Sequence, residues 1–189
     1  MSTAIPPKLM TVEQLDALPE DDIDRELIKG RLKERPMTRR NRFHAKAEAN
    51  LAFHLKSWLS SQPAEQGEVL SGEVGCILRR NPDSSVGIDV AYVSAELILK
   101  QSDATTMIDG PPTLAVEILS PSDKQEDVND KIDEYLAAGV AVVWIVDPHF
   151  KTVRVHRTAV PPRLFGVDQQ ISGEPQLPGF TLAVKDIFA

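Results

Sequence analysis

One short apolar segment with a single charge in its middle constrains the fold of this chain more than any other feature. Residues 114–119 read LAVEIL, and turn-forming residues stand on both sides of them, GPP before and SPS after. A short apolar run between turn signals predicts a buried strand. Because an unpaired carboxylate inside such a strand is costly, we expect Glu117 to have a cationic partner or a metal ion. Lys131, in the segment that follows, is one candidate partner.

The segment after this strand predicts a helix that leads to another buried strand. Ser122 and Gln125 form a capping-box pattern just after Pro121, which predicts a helix start, and Gly139 suits a helix that ends near residue 138. The inward stripe of this helix consists of Val128, Ile132, Tyr135 and Leu136. Residues 141–146 form the next apolar strand. The helix is therefore expected to be a right-handed crossover between two parallel strands.

A second carboxylate stands in a second apolar strand. Residues 69–79 and 86–93 predict two strands joined by an NPD turn, and Asp89 lies inside the second strand. If this strand adjoins that of Glu117, the two carboxylates cannot both stay ionised cheaply in a half-buried site. Protonation of one group, pairing with cations, or a hard divalent cation between them would each resolve this. Structural roles also fit, with Asp89 as a hydrogen-bond acceptor and Glu117 salt-bridged to Lys131.

Smaller elements are predicted towards the two ends of the chain. A capping box at Thr11 opens a short helix over about residues 12–18, and residues 26–34 predict two short strands around a KG turn. Alternation over residues 152–157 predicts an edge strand, and residues 177–184 predict a turn and a last strand. This mixture of helices and strands indicates a mixed α/β layer rather than a doubly wound sheet.

A long helix is predicted over residues 43–60. Its apolar stripe consists of Leu51, Leu55, Trp58 and Leu59. The same face carries His44 and Glu48 near the start of the helix. These two residues are either an i,i+4 hydrogen-bonded pair or part of a polar site that the helix end lines.

Length and composition indicate one globular domain, residues 1–189, with residues 1–24 as an N-terminal extension. No apolar run approaches the length of a membrane span, and the first residues lack the apolar stretch of a signal peptide. Cys76 is the single cysteine, so neither an internal disulfide nor a cysteine zinc site is expected. We therefore expect a cytoplasmic protein with no membrane contact.

Charge is distributed unevenly along the chain. Residues 25–46 contain nine basic and two acidic residues, a net charge of +7, which leaves −14 on the rest of a chain whose total is −7. Such a basic surface suits a polyanion. A solvated loop and a charged strand edge explain it equally well.

Four sequence patterns together resemble the Uma family of restriction-endonuclease-like proteins, within the PD-(D/E)XK nuclease superfamily. They are GIDVAYV around Asp89, LAVEILSPSD around Glu117, KIDEYL from Lys131, and GVAVVWIVDP. ELIKGRL, the helix that begins at His44, and LPGFTLAVKDIF also resemble that family. The resemblance implies an α/β (α+β) fold: a restriction-endonuclease-like mixed β-sheet core flanked by helices, in αβββαβ order, with an N-terminal hairpin extension.

The resemblance further implies a Mg²⁺-dependent (or Mn²⁺-dependent) endonuclease that hydrolyses phosphodiester bonds of DNA. Asp89 and Glu117 match the two acidic motif residues, which would bind the metal. A further acidic ligand is often placed on the first core helix, where Glu48 is the candidate and Glu26 the second choice. His44 is a possible additional site residue on that helix.

Two positions depart from the family motif. Ile88 stands in place of a proline that shapes the backbone and does no chemistry. Leu119 stands in place of the motif lysine, two residues after Glu117 and on the same side of the strand. The lysine is therefore expected from the following helix, where Lys131 is the first choice and Lys124 the fallback. The residues expected to bind DNA phosphates are Arg31, Lys33, Arg35, Arg39, Arg40 and Arg42.

Two other functions are alternatives to the nuclease. A binding or interaction module that keeps the fold and lacks activity is favoured by Leu119 and by the acidic sequence pI. A serine hydrolase based on Ser120 or Ser122 is disfavoured, because the glycine spacing of a nucleophile elbow is missing and both serines suit turn and cap positions. Base rates among such enzymes are consistent with a homodimer.

Overall fold

The computed structural model describes residues 9–37, 39, 41–62, 67–102 and 106–189. Eleven strands lie in this part of the chain: β1 (Ile23–Ile28), β2 (Arg31–Pro36), β3 (Glu68–Arg79), β4 (Ser84–Val93), β5 (Ile108–Asp109), β6 (Leu114–Ile118), β7 (Val142–Asp147), β8 (Thr152–Arg157), β9 (Val160–Phe165), β10 (Gln170–Ser172) and β11 (Thr181–Ala183). The helices of the same part are α1 (Val12–Asp16), α2 (Arg42–Leu59), α3 (Ala95–Ile98), α4 (Gln125–Ala138) and α5 (Val184–Ile187).

One mixed sheet contains β1 to β9, and β10 pairs with β11 separately. The sheet follows the order β2-β1-β4-β6-β7-β8-β9, with β3 beside β4 and β5 beside β3. β6 and β7 are parallel and are connected through α4, whereas β4 pairs antiparallel with β6. The predicted αβββαβ order is confirmed by α2, β3, β4, β6, α4 and β7, with α3 and the two-residue β5 inserted before β6.

The two longest helices pack on two separate hydrophobic clusters. Leu51 and Leu55 of α2 pack with Val90, Trp144 and the C-terminal segment in one cluster. Ile132 and Tyr135 of α4 pack with Ala115, Val143 and other strand residues in the second cluster. Neighbouring residues of one strand contribute to different clusters because successive side chains of a strand point to opposite faces of the sheet. None of the described helices is long and apolar enough to cross a membrane.

Local sequence signals explain how several elements begin and end. The predicted capping box at Thr11 is present, with the Thr11 side chain accepting from the backbone N–H of Gln14. The Asn41 side chain accepts from the first backbone N–H groups of α2. Gly139 ends α4 with a φ of 105°, a left-handed conformation that glycine adopts without strain.

Two details of the sequence interpretation are wrong. The capping box at residues 122–125 does not form, because α4 begins at Gln125 with Lys124 as its N-cap and no side-chain cap bond, which leaves Ser122 in the preceding turn. The strand predicted at the edge, β8, lies between β7 and β9. β9 was not predicted because its Pro161-Pro162 pair is typical of a loop. Prolines are nevertheless tolerated in an edge strand such as β9.

A fork in the sheet opens beside β4. β3 pairs with β4 along nearly its whole length, whereas the opposite edge of β4 pairs with β6 at residues 90–92 and with β1 only at Ser85. No described strand pairs with residues 86–89 on that edge. Because buried backbone groups need hydrogen-bond partners, side chains must satisfy the backbone here.

Candidate active site

Four side chains converge at this fork from four different elements. They are Glu26 on β1, Asp89 on β4, Glu117 on β6 and Lys131 on α4. Glu26, Glu117 and Lys131 also line a cleft of about 540 Å³ between the β1–β2 hairpin and the start of α4. The fork therefore joins a buried cluster of charges to an opening at the surface.

Glu117 is held through both of its carboxylate oxygens by residues of α4. The ammonium group of Lys131 donates to Oε2 at 3.1 Å, and the hydroxyl of Tyr135 donates to Oε1 at 2.5 Å. Lys131 and Tyr135 are four residues apart, so they lie one above the other on the same face of the helix. The cationic partner predicted for Glu117 is thus Lys131.

Lys131 has two further partners in the fork. Its Nζ lies 2.9 Å from Oε1 of Glu26 and donates to the carbonyl oxygen of Gly87 at 2.8 Å. The N–H of Gly87 donates to the same Glu26 oxygen at 3.2 Å. On the edge of β4 that faces the fork, where Gly87 has no partner among the described strands, its N–H and carbonyl groups are satisfied by the side chains of Glu26 and Lys131.

Asp89 connects the fork to α2. Its Oδ2 accepts from the N–H of Ile118 at 2.7 Å, directly beyond the last backbone pair between β4 and β6. Its Oδ1 lies 3.2 Å from Nε2 of His44, and Nδ1 of His44 lies 3.8 Å from a carboxylate oxygen of Glu48. Asp89 therefore has both a structural hydrogen bond and a contact with the polar end of α2.

Burial and neighbouring charges set the protonation of these groups. Burial raises the pKa of Glu117 to about 7; Lys131 and the Tyr135 hydrogen bond oppose this rise, and Asp89 and Glu26 add to it. Burial lowers the pKa of Lys131, but Glu117 and Glu26 outweigh it and hold that pKa well above its ordinary value. Lys131 is consequently a permanent cation near neutral pH and a poor general base.

The donor atoms decide which cation the site could hold. In the described ranges, no group of three or more His, Cys, Asp and Glu side chains is arranged to hold a metal ion, so Asp89, Glu117 and Glu48 do not form a complete metal site by themselves. The carboxylates of Asp89 and Glu117 are the donor type that a hard cation such as Mg²⁺ takes, since Mg²⁺ binds one or two carboxylates and completes its shell with water or phosphate oxygens. Each oxygen of Glu117 has two lone pairs and accepts one hydrogen bond, so one lone pair on each oxygen remains for such an ion.

Comparison with known proteins identifies the family. The model of the Uma2 family, described as "Putative restriction endonuclease", matches residues 12–185. The chain belongs to the Uma2 family. The family description supports a nuclease-like function for this Uma2 protein. The search of curated proteins found no match.

A solved structure shares the fold of this Uma2 protein. It is the crystal structure of a putative nuclease belonging to DUF820 from Anabaena variabilis ATCC 29413, which superimposes with a TM-score of 0.77 at 23% sequence identity. The match covers 95% of this chain and 97% of the other. The restriction-endonuclease-like fold class predicted from the sequence is confirmed.

The Uma2 structure brings together most of the predicted site residues and separates others. Glu117 and Lys131 are in direct contact. Glu26, the second choice for a further acidic metal ligand, contacts Lys131. Glu48, the first choice, faces His44 instead. Lys124 is exposed on the lining of the cleft. Leu119 also lines the cleft, and its side chain has no polar atom.

Tyr135 is the residue that the sequence interpretation missed. It was assigned only to the buried stripe of the helix, and it is indeed fully buried. Its position four residues after Lys131, on the same inward face, was the available signal, because a buried tyrosine hydroxyl usually finds a hydrogen-bond partner. The partner could not be identified before the strands and the helix were placed.

The basic residues of the Uma2 protein differ in how far they are already paired. Lys33 lies 3.1 Å from Asp127 and 3.3 Å from Asp130, both on α4. Arg35 contacts Asp24 and Glu26. The exposed members of the predicted DNA-binding set also include Arg31, Arg39 and Arg42. Arg40 lies outside the described residues.

Proposed function

We propose that this protein is a divalent-metal-dependent endonuclease that hydrolyses DNA phosphodiester bonds at the fork beside β4. The observation that supports this most is the contact of 3.1 Å between Lys131 and Glu117. It supplies a lysine next to the second motif carboxylate, although the motif position itself is occupied by Leu119. A charge cluster at the base of a cleft, rather than an isolated ion pair, is the arrangement that such chemistry needs.

Each side chain has a distinct role in this proposal. Asp89 and Glu117 would hold Mg²⁺ or Mn²⁺. When bound, such an ion lowers the pKa of a coordinated water and offsets charge on the transferring phosphoryl group. Lys131, kept protonated by two carboxylates, stabilises developing negative charge and does not abstract a proton. Glu26 holds Lys131 in place through its contact of 2.9 Å.

The DNA backbone would be held by basic residues around the cleft. Arg31, Arg39 and Arg42 are exposed and are the best candidates among the described residues for phosphate contacts. Lys33 and Arg35 must first give up carboxylate partners. A homodimer stays a prediction, to be checked by sedimentation of the purified protein.

A paired measurement tests the proposed function. We would titrate Mn²⁺ calorimetrically into the wild type, Asp89→Asn and Glu117→Gln, and assay plasmid cleavage on the same samples. Asp109→Asn, on the two-residue strand β5, is the matched control. Binding and cleavage by the wild type and the control, with both lost in the two site variants, is the expected result. Wild-type protein that neither binds Mn²⁺ nor cleaves DNA would refute the proposal.

A second candidate function is a binding module that retains the fold without activity. The observation in its favour is that the charge cluster is complete in itself, since both oxygens of Glu117 accept hydrogen bonds and Lys131 contacts Glu26, Gly87 and Glu117. This candidate predicts a stable protein without specific Mn²⁺ affinity. The same titration therefore separates the two functions.

A further inference from the structure

Helix α4 presents two donors to one carboxylate. Lys131 donates to Oε2 of Glu117 at 3.1 Å, and Tyr135 donates to Oε1 at 2.5 Å. The terminal torsion of a glutamate side chain is soft, so a single hydrogen bond leaves the carboxylate plane free to turn. Two donors from one rigid helix hold both oxygens, and with them the orientation of the plane.

We propose that Tyr135 is a positioning residue that orients the Glu117 carboxylate for cation binding. The proposal rests on the proposed function, because it assigns Tyr135 a part in the same site. It concerns a residue that contacts Glu117 rather than the substrate. Tyr135 therefore acts through the carboxylate that it holds.

The surroundings of Tyr135 leave its ring little freedom. The residue is fully buried, and it packs in the hydrophobic cluster that includes Ala115, Ile132 and Val143. A hydroxyl in such surroundings needs a partner, and a distance of 2.5 Å is within the range of O–H···O⁻ bonds to a carboxylate. The ring is therefore fixed by packing, and the hydroxyl transfers that rigidity to Glu117.

Tyr135 differs from the other groups around Glu117 in carrying no charge. The charged groups that act on Glu117 are the cation Lys131 on α4, the carboxylates of Glu26 on β1 and Asp89 on β4, and Arg35 on β2. Lys131 repels an incoming cation, whereas the neutral Tyr135 does not. Its hydrogen bond uses one lone pair of Oε1 and leaves the second one available. Tyr135 can thus hold the carboxylate in place both before and after a cation binds.

The second tyrosine of the chain provides a matched control for Tyr135. The chain contains two tyrosines, and the other one, Tyr92, packs edge-on against Trp58 with ring centroids 5.2 Å apart. Tyr135→Phe removes one hydroxyl and preserves the ring, and Tyr92→Phe makes the same chemical change in the cluster packed against α2. Any general effect of losing a tyrosine hydroxyl therefore appears in both variants.

The test is the Mn²⁺ affinity of the two variants, measured by calorimetry without DNA. Loss of a residue that orients a metal ligand typically weakens metal binding about 10- to 100-fold, and we expect Tyr135→Phe to lie in this range. Tyr92→Phe should bind as the wild type does. Cleavage by Tyr135→Phe should be slow at low Mn²⁺ and recover when Mn²⁺ is raised to saturation, with the KM for DNA unchanged. A purely structural tyrosine would not produce this recovery.

The outcomes separate the positioning role from the proposed function. Unchanged Mn²⁺ affinity in Tyr135→Phe, beside a wild type that binds and cleaves, overturns the positioning role alone. A wild type that does not bind Mn²⁺ overturns the proposed function, and the positioning role with it. Reversible urea unfolding of the metal-free variants, combined with Glu117→Gln in a double-mutant cycle, shows in the same samples that the fold is intact and that the two side chains are coupled.

Discussion

Lys131 and Glu117 are 14 positions apart in the sequence, and their side chains meet at 3.1 Å. The contact joins α4 to β6, the strand that precedes it. It places a cation beside Glu117, which the apolar side chain of Leu119 at the motif position cannot do. Both residues are largely buried, with 11% of the Lys131 side chain and 16% of the Glu117 side chain exposed. The pair is therefore coupled strongly, and changing either member should affect both stability and chemistry.

Replacing Lys131 tests which lysine serves the site. Lys131→Met leaves Glu26 and Glu117 without their shared cation, so we expect a loss of about 3–5 kcal/mol in the free energy of unfolding. The cleavage rate should fall by about 10²–10³, as when one electrostatic donor is removed from an active site. Plasmid cleavage and urea unfolding measure both effects. Lys124→Met, at an exposed position on the same cleft, is the control and should behave as the wild type does.

Moving the lysine to the motif position is a second test of which residue supplies the cation. Leu119→Lys in the Lys131→Met background returns a lysine to the motif position, two residues after Glu117 on the same side of the strand. Partial recovery of cleavage is expected, because the new ammonium group starts from the cleft lining. Cleavage lost in Lys124→Met and retained in Lys131→Met would instead assign the role to Lys124.

The pKa of Glu117 predicts a pH dependence of stability. It is raised from 4.5 to about 7 in the folded protein, so the folded state binds more protons than the unfolded chain between these values. The contribution of Glu117 to stability is therefore complete below about pH 4.5 and is lost as the pH rises through about 7. Glu117→Gln does not titrate, so its unfolding free energy relative to the wild type should increase by up to about 3 kcal/mol over this interval.

Urea unfolding at a series of pH values measures that difference. Glu68→Gln, at an exposed position on β3, is the matched control and should run parallel to the wild type. A constant difference between Glu117→Gln and the wild type across the interval would show that Glu117 has an ordinary pKa in the folded protein.

A second buried carboxylate should contribute to stability without contributing to the site. Glu134 is fully buried and accepts from Arg79 at 2.7 and 3.1 Å and from the Ser84 hydroxyl. Arg79→Met leaves this buried charge with the half-exposed Lys29, 3.6 Å away, as its cationic partner, so the free energy of unfolding should fall by up to about 3–5 kcal/mol. Mn²⁺ affinity should be unchanged. Arg80→Met, which removes a more exposed arginine, is the control, and an equal loss in both variants would contradict the assignment.

The salt dependence of DNA binding should distinguish basic residues that already pair with carboxylates, such as Lys33, from exposed ones such as Arg39 and Arg42. Each phosphate contact contributes about one unit to the slope of log affinity against log salt, so Arg39→Ala and Arg42→Ala should each reduce the slope by about one. Lys33→Ala should leave it nearly unchanged, because Lys33 is already paired with Asp127 and Asp130. Fluorescence anisotropy with a labelled duplex at several salt concentrations measures the slopes. A reduction in Lys33→Ala alone would place the DNA over the hairpin instead.

Local signals in the sequence determined most of the elements and the acidic half of the site. The apolar runs around Asp89 and Glu117 predicted buried strands, and the Thr11 capping box and Gly139 correctly marked a helix start and a helix end. These features depend on neighbours within a few residues, so they can be read without the fold. The wrong predictions were also local: Ser122 lies in the turn before α4 and does not cap it, and two prolines are tolerated in the edge strand β9.

Tertiary structure alone decided how the site is completed. The change of partner along one edge of β4, from β6 to β1, opens the fork that brings Glu26 to Lys131. Which lysine reaches Glu117, and that Tyr135 takes its other oxygen, follow from how α4 lies on the sheet. Strand register and helix placement are set by packing between residues far apart in sequence. A pattern along one segment could therefore identify Glu117, whereas its partners were determined only when the segments packed together.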